Sequence, residues 1–146
     1  MTSWPTMGEL LPHEAPMILL DDVVDCDGDR MTCQVTIRPG APFVEETGVH
    51  PVVTIEYMAQ CIAAWVGLRA LERHEPMRLG FLLGCREMQL HRPWLPLGTQ
   101  LRVESLRAWG DDDLGSFECQ VHDQDGCVAT ALLSVARAGS DGVMPG

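Results

Sequence analysis

The segment from Pro51 to Leu68 reads PVVTIEYMAQCIAAWVGL, and among its eighteen residues only Glu56 is charged. A run so apolar around its circumference predicts a helix buried on every face. Whatever else the chain builds must therefore cover this helix all round. A lone carboxylate in such a place is costly unless it is paired, hydrogen-bonded or protonated. Desolvation favours the protonated form, the state in which a carboxylic acid serves as a general acid. Glu56 is the predicted centre of an active site, set against the plainer reading of a structural carboxylate held by backbone amides. Gln60, one helical turn further on, is expected to hold the Glu56 side chain by a hydrogen bond.

A membrane span is the other use of such a segment, but it barely reaches the length and carries Thr54, Glu56 and Gln60. The strands expected after it alternate as water-soluble strands do, so no membrane partner is expected. At 146 residues, 46% hydrophobic and 21% charged, the chain reads as one globular domain over 1–138 with a flexible tail over 139–146. The first residues lack the basic start and small-residue cleavage site of a secretory signal, so secretion is not signalled and a cytoplasmic protein is expected. The six cysteines (26, 33, 61, 85, 119 and 127) include no CxxC pair and fall within apolar patterns, as reduced core thiols do. No zinc spacing and no glycine-rich phosphate loop occurs, so no metal or cofactor is expected.

The net charge of −11 argues against nucleic acid as a partner. Between Arg69 and Arg107, however, seven arginines stand against four glutamates. Such a segment suits either an acidic or phosphorylated partner or a dispersed, solvated set of arginines.

Around the helix the pattern is that of strands. Met17–Cys26 and a second run in which Met31, Cys33, Val35 and Ile37 share one face form a hairpin about Asp27-Gly28-Asp29. A short irregular lead from Glu9 to His13 opens the chain before the hairpin, and Pro39–Gly48 after it is loop. Pro51 suits the first helical turn, where a missing N–H costs nothing, and the helix is expected to end near His74–Pro76. Strands are predicted over 77–90, 100–109, 116–122 and 127–137, with a turn at Pro93–Gly98; Phe117, Cys119 and Val121 alternate with Glu118, Gln120 and His122. A curved antiparallel sheet wrapped about one long central helix satisfies this order, an α+β architecture.

Four pieces of the chain then resemble, in order, the hotdog-fold 3-hydroxyacyl-[acyl carrier protein] dehydratases. Leu11-Pro12-His13-x-x-Pro16-Met17-x-Leu19-Leu20-Asp21 is similar to that family's opening LPHxxPxLLxD. Ala41-Pro42-Phe43 is similar to its loop before the active site, and Glu56-Tyr57-Met58-Ala59-Gln60 to its helix signature E-x-x-A-Q. Gly84-Cys85-Arg86 through Arg92-Pro93-x-x-Pro96-Leu97-Gly98 resembles its strand and RPxxPG turn. The short loop before the helix resembles the aryl-polyene branch. The resemblance implies two protomers whose sheets join, with active sites at their interface. A His from one protomer takes a proton from C2 of the 3-hydroxyacyl thioester. An acid on the other's helix, here Glu56, protonates the departing hydroxyl. A backbone N–H at the helix start holds the thioester carbonyl.

Three departures follow. The family loop HFPxxPxxPG is missing, and no His stands fourteen residues before the acid. The Gly that gives the oxyanion donor is replaced by Pro51, which has no N–H, so Val52 or Val53 is expected to supply it. His50, six residues before Glu56, and His13, in the opening motif, are the candidates to replace the base; the plainer readings are a solvent-exposed flank for His50 and a structural residue for His13. His74, His91 and His122 are expected on the surface. Trp65, Leu68 and Ile62 are expected in the core or along an acyl tunnel, Tyr57 near a polar partner, and Trp94 under its turn.

Dehydration of carrier-protein or coenzyme A thioesters is thus the leading expectation. Its rivals are a thioesterase in which Glu56 activates water or attacks the thioester, and a non-catalytic partner subunit binding carrier protein or completing a heterodimer. Both a homodimer and a heterodimer with another hotdog chain fit this reading.

Overall fold

The computed structural model describes residues 3–76, 80–111 and 113–137. The predicted tail from 139, the first three residues of the predicted strand over 77–90, and Arg78 of the arginine-rich segment lie outside them. The hairpin is β1 (Asp22–Asp27) and β2 (Arg30–Thr36). A two-residue strand, β3 (Gly48–Val49), leads through a 3₁₀ turn (Pro51–Val53) into α2 (Thr54–Glu72), with Pro51 at the turn's first position as expected. Then follow β4 (Gly80–Leu90), β5 (Leu95–Pro96), β6 (Gln100–Gly110), β7 (Leu114–Asp123) and β8 (Gly126–Arg137). The six long strands form one antiparallel sheet in the order β1-β2-β6-β7-β8-β4, while β3 and β5 pair separately.

The period-two alternation fixes the sheet's register. Cys33 lies opposite Val103, Val103 opposite Val121 and Val121 opposite Ala129. All four are buried on the face toward α2, as are Met31, Leu101, Cys119 and Leu133. Their outward neighbours Gln34, Arg102, Glu118 and Gln120 are exposed. Slipping the register by one residue would turn the whole apolar row to water. Against it α2 lays Tyr57, Met58, Cys61, Ile62, Ala64, Trp65 and Leu68, all buried. Trp65 meets Phe117 edge-on at 5.7 Å, and its Nε1 donates to the carbonyl of Gly28 at 2.9 Å. Cys61 Sγ lies 3.5 Å from the carbonyl oxygens of Met31 and Val103, so this thiol touches the sheet's backbone directly.

Two expectations are corrected. The lead before Pro12 is not irregular. Met7–Leu10 forms a helical turn, α1, closed by a capping box in which Thr6 and Glu9 satisfy each other's amides. It packs so closely on α2 that a Cβ at Gly67 would collide with the carbonyl oxygen of Leu10. The first strand also begins at Asp22 rather than Met17. Gln60 of α2 takes the backbone groups just before it instead, accepting from Leu19 N–H at 2.9 Å and donating to Met17 O at 2.6 Å.

Candidate active site

The helix is not buried on every face. Its sheet side is fully covered, but Val52 and Glu56 are exposed and Ile55, Ala59, Ala63 and Val66 are half-buried, at the spacing of one helical stripe. By length and composition Pro51–Glu72 is apolar enough to cross a membrane, yet its inner side is the core of this domain. The uncovered stripe forms the floor of a groove of about 260 Å³. Pro12 and His13 of the opening segment and Gly80 and Leu82 of the edge strand β4 also line it. Its walls are mostly apolar, and Glu56 and His13 are its titratable groups.

The structure therefore brings Glu56 and His13 to one groove within a single chain. Glu56 stands on the open side of the first turns of α2, and this chain alone does not desolvate it; that sequence expectation is corrected. Gln60 does not hold it either. The Gln60 side chain is buried on the two backbone groups of the opening segment, and by holding Met17 and Leu19 it anchors the segment that carries His13.

The mouth of the helix is organised differently from expectation. His50 is exposed, and its Nδ1 accepts the amide of Val52 at 3.0 Å. The amide of Val53 donates to the His50 carbonyl, also at 3.0 Å. Neither amide expected to hold a substrate carbonyl is free in this chain. The Thr54 amide is directed to the carbonyls of Pro51 and Val52, and its hydroxyl donates to Pro51 O at 2.7 Å.

The remaining candidates are ordinary. Ile62 lines the groove and packs in the core at once, while Trp65 and Leu68 are core. Tyr57 is buried, and burial, helped by the charge of Asp21, pushes its phenol up to about 12, so it stays protonated. All six cysteines are free. The Cys33 thiol is pushed up by its hydrogen bond with Cys61 and by burial, and the Cys119 thiol by burial, so both are inert protonated thiols. Trp94 packs beside the antiparallel pair of β3 and β5, at Gly48, whose φ of 152° and tight approach to Leu95 O and Trp94 Nε1 leave no room for a side chain. His74 and His91 are exposed and His122 is half-buried.

The guanidinium groups of Arg69 and Arg107 stack on Trp65 at 4.7 and 5.0 Å, and Arg92 pairs with Asp123 at 3.2 Å. Sequence reasoning missed the groove's Ala59, Ala63 and Ala70, although they follow Glu56 at helical spacing. It missed the β4 wall because that contact joins residues far apart in the chain.

The chain matches the family model of the ApeP-like proteins, described as ApeP dehydratase, over residues 5–142. It is 28% identical over 141 residues to the 3-hydroxyacyl-[acyl-carrier-protein] dehydratase FabZ of Psychrobacter arcticus, covering 92% of this chain and 96% of that protein. Among solved structures it is similar to a chain of the dehydratase heterocomplex ApeI:P from Xenorhabdus doucetiae. That match is 29% identical with a TM-score of 0.89, over 96% of this chain and 95% of that one. The PaaI protein of the E. coli phenylacetic acid degradation operon, 14% identical with a TM-score of 0.61 over 80% and 82% of the two chains, shares the fold.

Proposed function

The chain belongs to the ApeP-like dehydratase family, and from that premise we propose that it removes water from 3-hydroxyacyl thioesters held on acyl carrier protein, giving trans-2-enoyl thioesters for fatty-acid or polyene-type biosynthesis. The observation that carries this reading is the single groove lined by both Glu56 and His13 above an apolar floor. The floor suits an acyl chain lying along α2. Glu56, at its head, gives its proton to the C3 hydroxyl as the C3–O bond breaks. The C2 proton passes to a base, for which His13 is the candidate this chain places in the groove.

A second hotdog chain fits the open side of the molecule. The uncovered stripe of α2 is continuous with β4, the sheet's edge, where Leu82 and Leu83 are 43% and 60% exposed. An edge strand with exposed leucines invites pairing with another chain. Covering the stripe would also exclude water from around Glu56. The heterocomplex of the similar Xenorhabdus protein supports a partner of different sequence, which could bring the loop histidine this chain lacks. Six free thiols suit a reducing cytoplasm.

The test is an assay of the purified chain, alone and with a candidate hotdog partner, on a 3-hydroxyacyl thioester, following enoyl absorbance and free thiol together. Enoyl product without thiol is expected. Thiol without enoyl would make the chain a thioesterase, and enoyl only with the partner would make it one half of a heterodimeric enzyme.

A further inference from the structure

Pro51 leaves the helix mouth without the backbone donor that a thioester carbonyl needs, and the hydrogen bonds around it indicate what stands in its place. The next three amides are all engaged: Val52 N–H with His50 Nδ1, Val53 N–H with His50 O, and Thr54 N–H with the carbonyls of Pro51 and Val52. The first of these bonds also fixes the state of the ring. A ring nitrogen that accepts from a backbone N–H carries no proton, so the neutral imidazole holds its proton on Nε2. The ring is exposed, and among the described residues Nε2 has no partner.

We propose that His50 is the hydrogen-bond donor to the thioester carbonyl, through Nε2–H, and not the base. The proposal rests on the dehydratase reading and assigns a role within it. The imidazole covers the Val52 amide and offers its own N–H beyond it, moving the donor from backbone to side chain. In the reaction the C2–H bond breaks and its electrons form the C2–C3 double bond. The C3–O bond breaks, and the hydroxyl leaves as water with the Glu56 proton. Negative charge gathers on the carbonyl oxygen and is met by Nε2–H, with no proton passing between them. The C2 proton then goes to another group, His13 or a histidine of the partner chain.

Three substitutions separate donor from base. In H50N the side-chain oxygen still caps Val52 and the amide still donates; in H50D the cap remains without a donor; H50A has neither. Each full-length chain is assayed for enoyl formation, with the partner chain if the wild type needs one, and its melting temperature is recorded. The expected result is H50N within about tenfold of wild-type kcat, with H50D and H50A down about 10²–10³-fold and only H50A lowered in melting temperature. A carboxylate can act as a base and a carboxamide cannot, so H50D outperforming H50N would overturn the proposal. Three active variants would reduce His50 to a cap, and H50N falling as far as H50A would also contradict a donor role. The ¹⁵N shifts of the His50 ring give an independent reading in which a proton on Nδ1 refutes it. A wild type making no enoyl product with or without a partner would remove the dehydratase reading, and this proposal with it.

Discussion

The two sides of α2 carry nearly the same kind of residue and do opposite things. The inner side presents Met58, Cys61, Ile62 and Trp65 to the sheet and leaves almost nothing accessible. The outer side presents Ile55, Ala59, Ala63 and Val66, equally apolar but with two alanines at its middle, and leaves them partly in water around an exposed Glu56. Large side chains fill the space between helix and sheet; small ones keep a channel open above the helix. Apolar character alone therefore does not mark a core. One side stabilises the domain, and the other stays open, the surface on which the proposed function places an acyl chain and a second protein chain.

Substitutions on each side sharpen that contrast. The largest expected effect is on activity: Glu56→Gln should reduce enoyl formation by about 10³-fold or more, while the melting temperature stays at the wild-type value because the residue is exposed. Loss of fold in this variant would move Glu56 to the inner side of the comparison. Met58→Ala, two residues on, on the opposite side of the helix and fully buried, should do the reverse, costing about 2–5 kcal/mol in denaturant unfolding with residual activity set by the folded fraction. Gly67→Ala drives a methyl into the Leu10 carbonyl and should cost about 1–3 kcal/mol. Limited proteolysis should then cut before Pro12, since α1 is the element displaced. The smallest effect belongs to the sheet's far surface. Asp123 is pushed up by burial, but its bonds to Arg92 and to the amides of Asp125 and Gly126 outweigh this and hold it below its ordinary value. Its stabilising contribution is present above the unfolded carboxylate range and is lost as pH falls through the lower folded value. Arg92→Ala should remove about 1 kcal/mol or less at neutral pH, and less in acid, with activity unchanged.

The strands were legible because their signal is local. Met31, Cys33, Val35 and Ile37 announce their buried face by alternation, as do Phe117, Cys119 and Val121, and the structure buries all seven. The helix was legible for its length and its single carboxylate. Its exposed face was not, because Ala59 and Ala63 are as apolar as the residues beneath them, so no period distinguishes channel from core. Gln60 was misassigned for a related reason. Local spacing points it at Glu56, but the Met17 carbonyl and the Leu19 amide, brought alongside by the fold, offer it two stronger partners. The Thr6–Glu9 capping box was present in the sequence and simply unused. That His50 would occupy the Val52 amide lay beyond reach, since it depends on the ring's rotamer rather than on residue spacing.

The most direct test of the central claim is to measure enoyl formation per chain against chain concentration, with sedimentation at the same concentrations and the second hotdog chain titrated in where needed. If the open side of α2 is an active surface completed by a partner, activity will follow the associated fraction and vanish in the monomer. A sedimenting monomer that turns over at the full rate would contradict the account.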